Sequence, residues 1–317
     1  MDINNPAARL RIRENWRVKF LDAFTAGAPP ASEQICQLEN SSAAIEVYDL
    51  LIAAPFFQKL KDKIKRQNLA RAQQRMHNEE FEATVEVKQA DLERDSYGQY
   101  DNKFVVLGQA ARRNPDRLLA NLMSQSFTLT DYTGTPFYSA DKPHLPTVID
   151  AGTFTNKMTA KPSAGSWDAA KQMMGNIRDV NGQPMGLGIS RTVVCSQKWE
   201  STWKRILNAE LIAQLVGNAG VASVSNIYKG DANLIMFPWL NNSADQDKWF
   251  VIDTSWNLRS FILQTEVQPR FYSQDNPNVH NAAFEEHMFL YQGYYRGNVD
   301  FGLPQLTIGS DGSTDPL

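Results

Sequence analysis

The reactive side chains of this sequence are few and poorly spaced for catalysis. Histidine occurs only as His77, His144, His280 and His287. None stands in the His-Glu-x-x-His spacing that sets two imidazoles on one helix face for zinc. Asp131, Asp141 and His144 are ligand types at a spacing that matches no established metal site, so they read as turn residues. Cys36 and Cys195 lie far apart in sequence and read as two reduced, partly buried thiols. Gly186-Leu-Gly188 has the start of a phosphate loop. A third glycine and a Walker lysine are missing, however, and the segment leads into a strand, so it reads as a turn. No Gly-x-Ser-x-Gly elbow presents a nucleophilic serine. Paired carboxylates have no spacing of their own in sequence, so a carboxylate-dependent glycoside hydrolase stays as an alternative without positive support. No catalytic residue, cofactor or metal is implied.

Composition sets the wider bounds. The 317 residues suffice for one large or two ordinary domains with a real core. A hydrophobic fraction of 42% beside 21% charged residues is that of a folded soluble chain. The formal net charge of −3 argues against a strongly nucleic-acid-binding surface. No apolar run approaches the ~18 residues of a membrane span, and no secretory leader is visible, so no membrane partner is expected.

Two stretches concentrate positive charge instead. Residues 11–24 form an amphipathic helical pattern closed by Gly27 and Pro29-Pro30, with Arg11, Arg13 and Arg17 beside Trp16 and Phe20. It reads as an arm that docks on protein, with a place near DNA as the second reading. The other stretch holds Lys59, Lys61, Lys63, Lys65, Arg66, Arg71 and Arg75. It has too little apolar content to fold on itself and must lie on something else. Its charge would attract phosphate without sequence preference, but the interleaved aromatics of a single-strand binder are missing.

The elements that position these residues follow from hydrophobic period. Residues 80–89 alternate, with Phe81, Ala83, Val85 and Val87 on one face, and predict a half-buried strand. A helix over 101–113 turns Phe104, Leu107, Gly108 and Ala111 inward. Pro115 is expected to end it and open a second helix over 115–127, with Leu118, Leu119, Leu122 and Met123 inward and Asp116 near its positive end. Residues 35–51 predict a strand with Ile45, Val47, Leu50 and Leu51 inward. Residues 131–146 read as a long ordered loop and 152–166 as a surface connection. Helices over 167–175 and 197–207, capped by Ser166 and Ser196, then alternate with strands at 187–195, 227–228, 234–237 and 249–253, as in a compact α/β unit. Long strands over 261–267 and 286–295 should return to pair with the strand ending near Gln89. Residues 309–317 read as a frayed tail.

The runs Phe81-Glu-Ala-Thr-Val-Glu-Val87, Asp91-Leu-Glu-Arg-Asp95 and Gly98-Gln-Tyr100 resemble the major head subunit of Mu-like phages. Leu107-Gly-Gln-Ala-Ala111, Pro115-Asp116, Asp131-Tyr-Thr-Gly134, Pro136-Phe137 and Asp141-Lys-Pro-His144 continue the match in order. The resemblance implies an α+β, HK97-like capsid fold without an active site. It divides the chain into an N-terminal arm (1–34), an extended loop hairpin with flanking strands (35–92), a peripheral domain with a long bent spine helix (93–151), an axial domain (152–255) and C-terminal strands returning to the peripheral domain (256–317). The implied function is that of a major capsid protein of a tailed phage or Mu-like prophage. Such subunits assemble through pentamers and hexamers, in the host bacterial cytoplasm, into an icosahedral head around double-stranded DNA. Scaffolding, portal and decoration proteins would be further partners, and the DNA would be held without sequence specificity. The two basic stretches become contacts between subunits, through the extended loop and the arm. A tail or baseplate structural protein is the runner-up.

Overall fold

The computed structural model describes residues 5–51, 71–94, 96–145, 152–215, 221–276, 279 and 285–315. Helix α1 (Pro6–Thr25) starts behind Asn5, whose side chain accepts the amide of Ala7, with Pro6 in the first turn where its missing N–H costs nothing. It buries Ile12, Trp16, Phe20 and Ala23. The five-residue α2 (Ala31–Ile35) is capped from outside: the Asp116 carboxylate accepts the amides of Ser32 (2.8 Å) and Ala31 (3.4 Å). Asp116 therefore serves a neighbouring helix rather than the start of its own.

Strand β1 (Gln37–Asn40) is followed by a ribbon of β2 (Ile45–Leu51) and β3 (Arg71–His77), and then by β4 (Glu79–Lys88). After the short α3 (Gln89–Glu93), α4 runs unbroken over Asp101–Gln125 with Pro115 inside it. The expected break at Pro115 is thus absent. An internal proline costs a helix about 3 kcal/mol, but here both halves are held by burial, Phe104, Leu107 and Gly108 on one side of Pro115 and Leu119, Ala120 and Met123 on the other. Leu118 and Leu122 are half-buried against the same core.

The second half begins with β5 (Lys142–Pro143), β6 (Thr153–Phe154), β7 (Lys157–Ala160) and α5 (Ala164–Asn176). Ser163 caps α5, and Ser166 is its capping-box partner rather than the cap. Then come β8 (Arg191–Cys195), α6 (Glu200–Asn208), the hairpin β9 (Leu211–Leu215) and β10 (Val221–Ser225), β11 (Asn233–Met236) and β12 (Trp249–Asp253). Ser196 gives its hydroxyl to the Gln246 carbonyl instead of capping a helix. Ile227-Tyr228 is no strand, and Ile227 is largely exposed. Long β13 (Phe261–Gln274), β14 (Met288–Phe301) and β15 (Thr307–Thr314) complete the chain.

Besides three two-stranded pairs, the described residues form two larger sheets, ordered β1-β13-β14-β4 and β11-β8-β12-β15-β7. β14 pairs antiparallel with β4 from Met288↔Lys88 to Gly297↔Glu79, the return that the sequence predicts. The expected fraying is not seen over residues 309–314, which belong to β15, while residues 316–317 lie outside the described residues. β15 lies between β12 and β7, buried from Thr307 to Ser310. Its polar character misleads because the hydroxyls of Thr307 and Ser310 donate to the carbonyls of Val251 (3.0 Å) and Ala160 (2.6 Å), which makes burial tolerable. Helices α1 and α4 cover one face of the first sheet. They touch at Gly108, where a Cβ would lie 2.3 Å from the Phe20 carbonyl oxygen. A core containing Leu119, Met123, Phe137, Tyr138, Phe250, Phe261 and Phe301 joins the two sheets.

Candidate assembly surface

The ribbon of β2 and β3 is paired antiparallel from Ile45↔His77 to Leu51↔Arg71 and belongs to neither sheet. Leu50, Ala72 and Met76 are buried against Ile262, Leu303 and Leu306. That inward set fixes the parity of β2 and leaves Ile45 and Val47 outside, each 48% exposed, against the expectation that they turn inward. Arg75 is exposed opposite Val47, and Arg71 opens β3 opposite Leu51. Lys59, Lys61, Lys63, Lys65 and Arg66 lie outside the described residues. Beside the ribbon, strand β4 presents Glu80, Glu82 and Glu86 on the uncovered face of its sheet, all exposed. Glu80 pairs with Arg296 at 3.3 Å. Glu82 accepts from Gln292 and Thr84, which lowers its pKa.

The apolar face of the arm is covered within its own subunit. Trp16 stacks on Phe104 with centroids 4.5 Å apart and gives its indole N–H to Asp101 at 2.9 Å. Lys19 pairs with the same carboxylate. Trp16 and Phe20 are fully buried in their own subunit, so neither is available to a neighbour. The amphipathic pattern identifies an inward face without saying whose core it fills. Arg13 reaches Asp275 at 3.5 Å, Arg17 pairs with Glu14 at 2.9 Å, and Arg11 and Arg17 are exposed.

Among the candidate ligand residues, Asp131 and His144 are buried while Asp141 is exposed. Asp131 does organise a turn, accepting the amide and the hydroxyl of Thr133 (2.9 and 2.6 Å). Its other oxygen meets Lys142 Nζ at 2.8 Å, and the side chains of both are fully buried. Lys142 also donates to the Pro136 carbonyl (2.9 Å), and its ammonium lies 5.8 Å from the centre of the Phe137 ring. Desolvation lowers the Lys142 pKa despite the carboxylate. This ion pair was missed in the sequence, although both partners stand in the matched runs; only an acid and a lysine eleven residues apart would have signalled it. Phe137, inside the same loop, stacks on Phe301 at 4.2 Å and so ties the loop to β14.

His144 packs on Phe154 with centroids 4.9 Å apart, and burial lowers its pKa. Cys36 and Cys195 are free and buried, and desolvation pushes both thiols well up, away from the reactive thiolate. Gly182, Gly186 and Gly188 all have positive φ, as the turn reading expects. Among the described residues no group of three or more His, Cys, Asp or Glu could hold a metal, and no helix is long and apolar enough to cross a membrane. What these residues present to the outside is the outer side of the ribbon and the carboxylates of β4.

Comparison with known proteins points the same way. The family model described as Mu-like prophage major head subunit gpT matches residues 10–167 and 241–315. The major capsid protein of Escherichia phage Mu is 29% identical over 154 residues, 49% of this chain and 50% of that protein, so the chain spans about half the length of the curated relative it matches. A chain of the bacteriophage JBD30 procapsid shares the fold with a TM-score of 0.57 and 21% identity, over 96% of this chain and 75% of that one. A chain of a virus-like particle from Pyrococcus furiosus does so with a TM-score of 0.55 and 9% identity, over 94% and 98%. The mixed helix and sheet architecture is therefore the HK97-like capsid fold.

Proposed function

Because the chain belongs to the Mu-like prophage major head subunit family, we propose that it is the major capsid protein of a tailed phage or Mu-like prophage. It assembles with copies of itself, as pentamers and hexamers, into the icosahedral head around double-stranded DNA. The four-stranded sheet with α1 and α4 is the peripheral domain, and α4 is its spine. The five-stranded sheet with α5, α6 and the β9–β10 hairpin is the axial domain, to which β15 also belongs.

The observation that carries this reading is the ribbon. It leaves the four-stranded sheet as a separate pair of strands, and the segment between its ends, residues 52–70, holds Lys59, Lys61, Lys63, Lys65 and Arg66. That charge complements the exposed Glu80, Glu82 and Glu86 of an adjacent copy, while the long basic side chains can also cover apolar surface. Arg71, Arg75, Arg11 and Arg17 add to the contact at the ribbon and the arm. DNA is enclosed without sequence specificity, and scaffolding, portal and decoration proteins meet the same shell.

The test is assembly. Replacing residues 52–70 by a tight turn, with β2 and β3 intact, should leave a soluble, cooperatively folding subunit that builds no closed heads by negative-stain microscopy. Lys61, Lys63 and Lys65 to Glu should act more mildly and in a salt-dependent way. Normal heads from the shortened chain would place the assembly contacts elsewhere.

A further inference from the structure

The ribbon is attached in an unusual manner. Its strands make no ladder with either sheet, so backbone pairing does not fix its direction. What holds it is an apolar contact and a seam of polar side chains. The apolar contact of Leu50, Ala72 and Met76 with Leu303 and Leu306 is non-directional; it keeps the ribbon down but tolerates rotation. Hydrogen bonds weaken steeply off axis and do fix an angle.

The seam converges on one residue. Asn78 is the single residue between β3 and β4, hence the point where the chain passes from ribbon to sheet. Its side-chain amide donates to Ser41 Oγ (2.9 Å) and to the Ala43 carbonyl (2.8 Å), in the turn where the chain enters the ribbon from β1. Its backbone N–H donates to the Ala44 carbonyl (3.0 Å). Its side-chain oxygen accepts from Gln264 Nε2 (2.7 Å), on β13 in the sheet. Gln264 is fully buried, and its own oxygen accepts from the Tyr48 hydroxyl (2.6 Å), on the ribbon. Both ends of the ribbon and the sheet beneath it are therefore pinned through Asn78 and Gln264. Two further bonds lie outside this pair, Gln74 to Asp300 and Asn298 to the His77 carbonyl, each 3.0 Å.

We propose that Asn78, acting through Gln264, is the positioning residue that sets the direction in which the β2–β3 ribbon leaves the subunit. A side-chain pin, unlike a sheet ladder, can be released without unfolding a strand. The inference concerns the single subunit and stands whether or not the ribbon contacts a neighbour.

Spin labels at Gln73→Cys on the ribbon and Tyr272→Cys on the open sheet face read the angle as a distance, with labelled chain diluted into unlabelled chain so that only distances within one subunit count. Cys36 and Cys195 are buried and remain unlabelled. Gln73 lies roughly 16 Å along the strand from Asn78, so a rotation of 10–15° moves it by about 3–4 Å. The parent should give one narrow distribution. Asn78→Ala should broaden or shift it by about that amount, with the amides of β2 and β3 still protected from exchange. Asn78→Asp, which keeps the acceptor for Gln264 and loses the two donors, should fall between. A distribution for Asn78→Ala that superimposes on the parent overturns the proposal, as does loss of amide protection along the ribbon. Should Asn78→Ala not fold, Tyr48→Phe removes one bond of the pin and keeps the ring; a superimposable distribution there overturns the proposal equally.

Discussion

Strand β14 alternates half-buried and buried residues over all its fourteen positions, whereas β12 is buried at all five. The first pattern belongs to a sheet with helices on one face only. Tyr291 and Phe289 meet Trp16 and Phe104 beneath α1 and α4, while Gln292, Tyr294 and Arg296 stay half-open on the other side. The second belongs to a sheet closed on both faces. Val193, Cys195, Trp249 and Val251 face α5 and α6, and Val194, Phe250 and Ile252 face the core shared with α4. One sheet keeps a half-open face; the other is covered on both.

The sharpest way to break the comparison is to open the closed sheet. Ending the chain after Leu306 removes β15, which lies between β12 and β7, and exposes two strand edges in a core otherwise sealed. The expected outcome is loss of soluble folded protein, with loss of the near-ultraviolet dichroism of the Trp167–Trp203–Trp249 cluster, whose centroids lie 5.8 and 5.1 Å apart. A truncated chain with an unchanged urea midpoint would show that the five-stranded sheet does not depend on its C-terminal strand.

A smaller change tests whether the two sheets unfold as one. The Asp131–Lys142 pair holds the loop whose Phe137 and Tyr138 fill the shared core. Asp131→Ala leaves a buried ammonium without its carboxylate and should cost about 3–5 kcal/mol. Combining it with Lys142→Met removes the charge and should recover much of that loss. A single transition moving to lower urea by tryptophan fluorescence and by far-ultraviolet dichroism alike would mean one cooperative unit. Two separated transitions would mean that the sheets are independent.

How much of this was legible in the sequence depended on what each residue's burial rested on. Strands with an apolar alternation, such as Phe81 to Val87 and the return of β14, are legible because side-chain type tracks exposure there except at Ala83, which is exposed although it lies on the inward face. Ile45 and Val47 are the counter-example: apolar, yet turned outward by the parity that Leu50 on their own strand and Met76 across the ribbon impose. β15 and the Asp131–Lys142 pair failed for the opposite reason. Both are polar and buried, and their partners, the carbonyls of Val251 and Ala160 in one case and a lysine on the far side of a loop in the other, are tertiary facts. The arm is legible as a helix, but that its apolar face, Trp16 and Phe20, fills the core of its own subunit is not, since an amphipathic face carries no label of the surface it covers.

The smallest effect concerns Asp300, at the foot of the ribbon where the open sheet meets it. Its carboxylate accepts from Gln74 (3.0 Å) and from the Phe301 amide (2.7 Å). Burial raises its pKa, the nearby Asp131 adds to the rise, and the two hydrogen bonds and His77 oppose it. An acid whose pKa is higher in the folded state binds protons more readily there than in the unfolded chain, so its charge costs stability above the raised value. That cost fades as the pH falls through the raised pKa towards the ordinary 3.8. The sign is opposite to that of a salt-bridged carboxylate, whose contribution is lost on acidification. Asp300→Asn should therefore raise the urea midpoint slightly at pH 7, since Gln74 can turn its amide to meet the new donor. The gain over the parent should shrink as the pH is lowered towards 4. A variant less stable than the parent at pH 7, or a difference that grows on acidification, would show that the two hydrogen bonds outweigh desolvation at this site. The foot of the ribbon would then be as firmly closed as the second sheet.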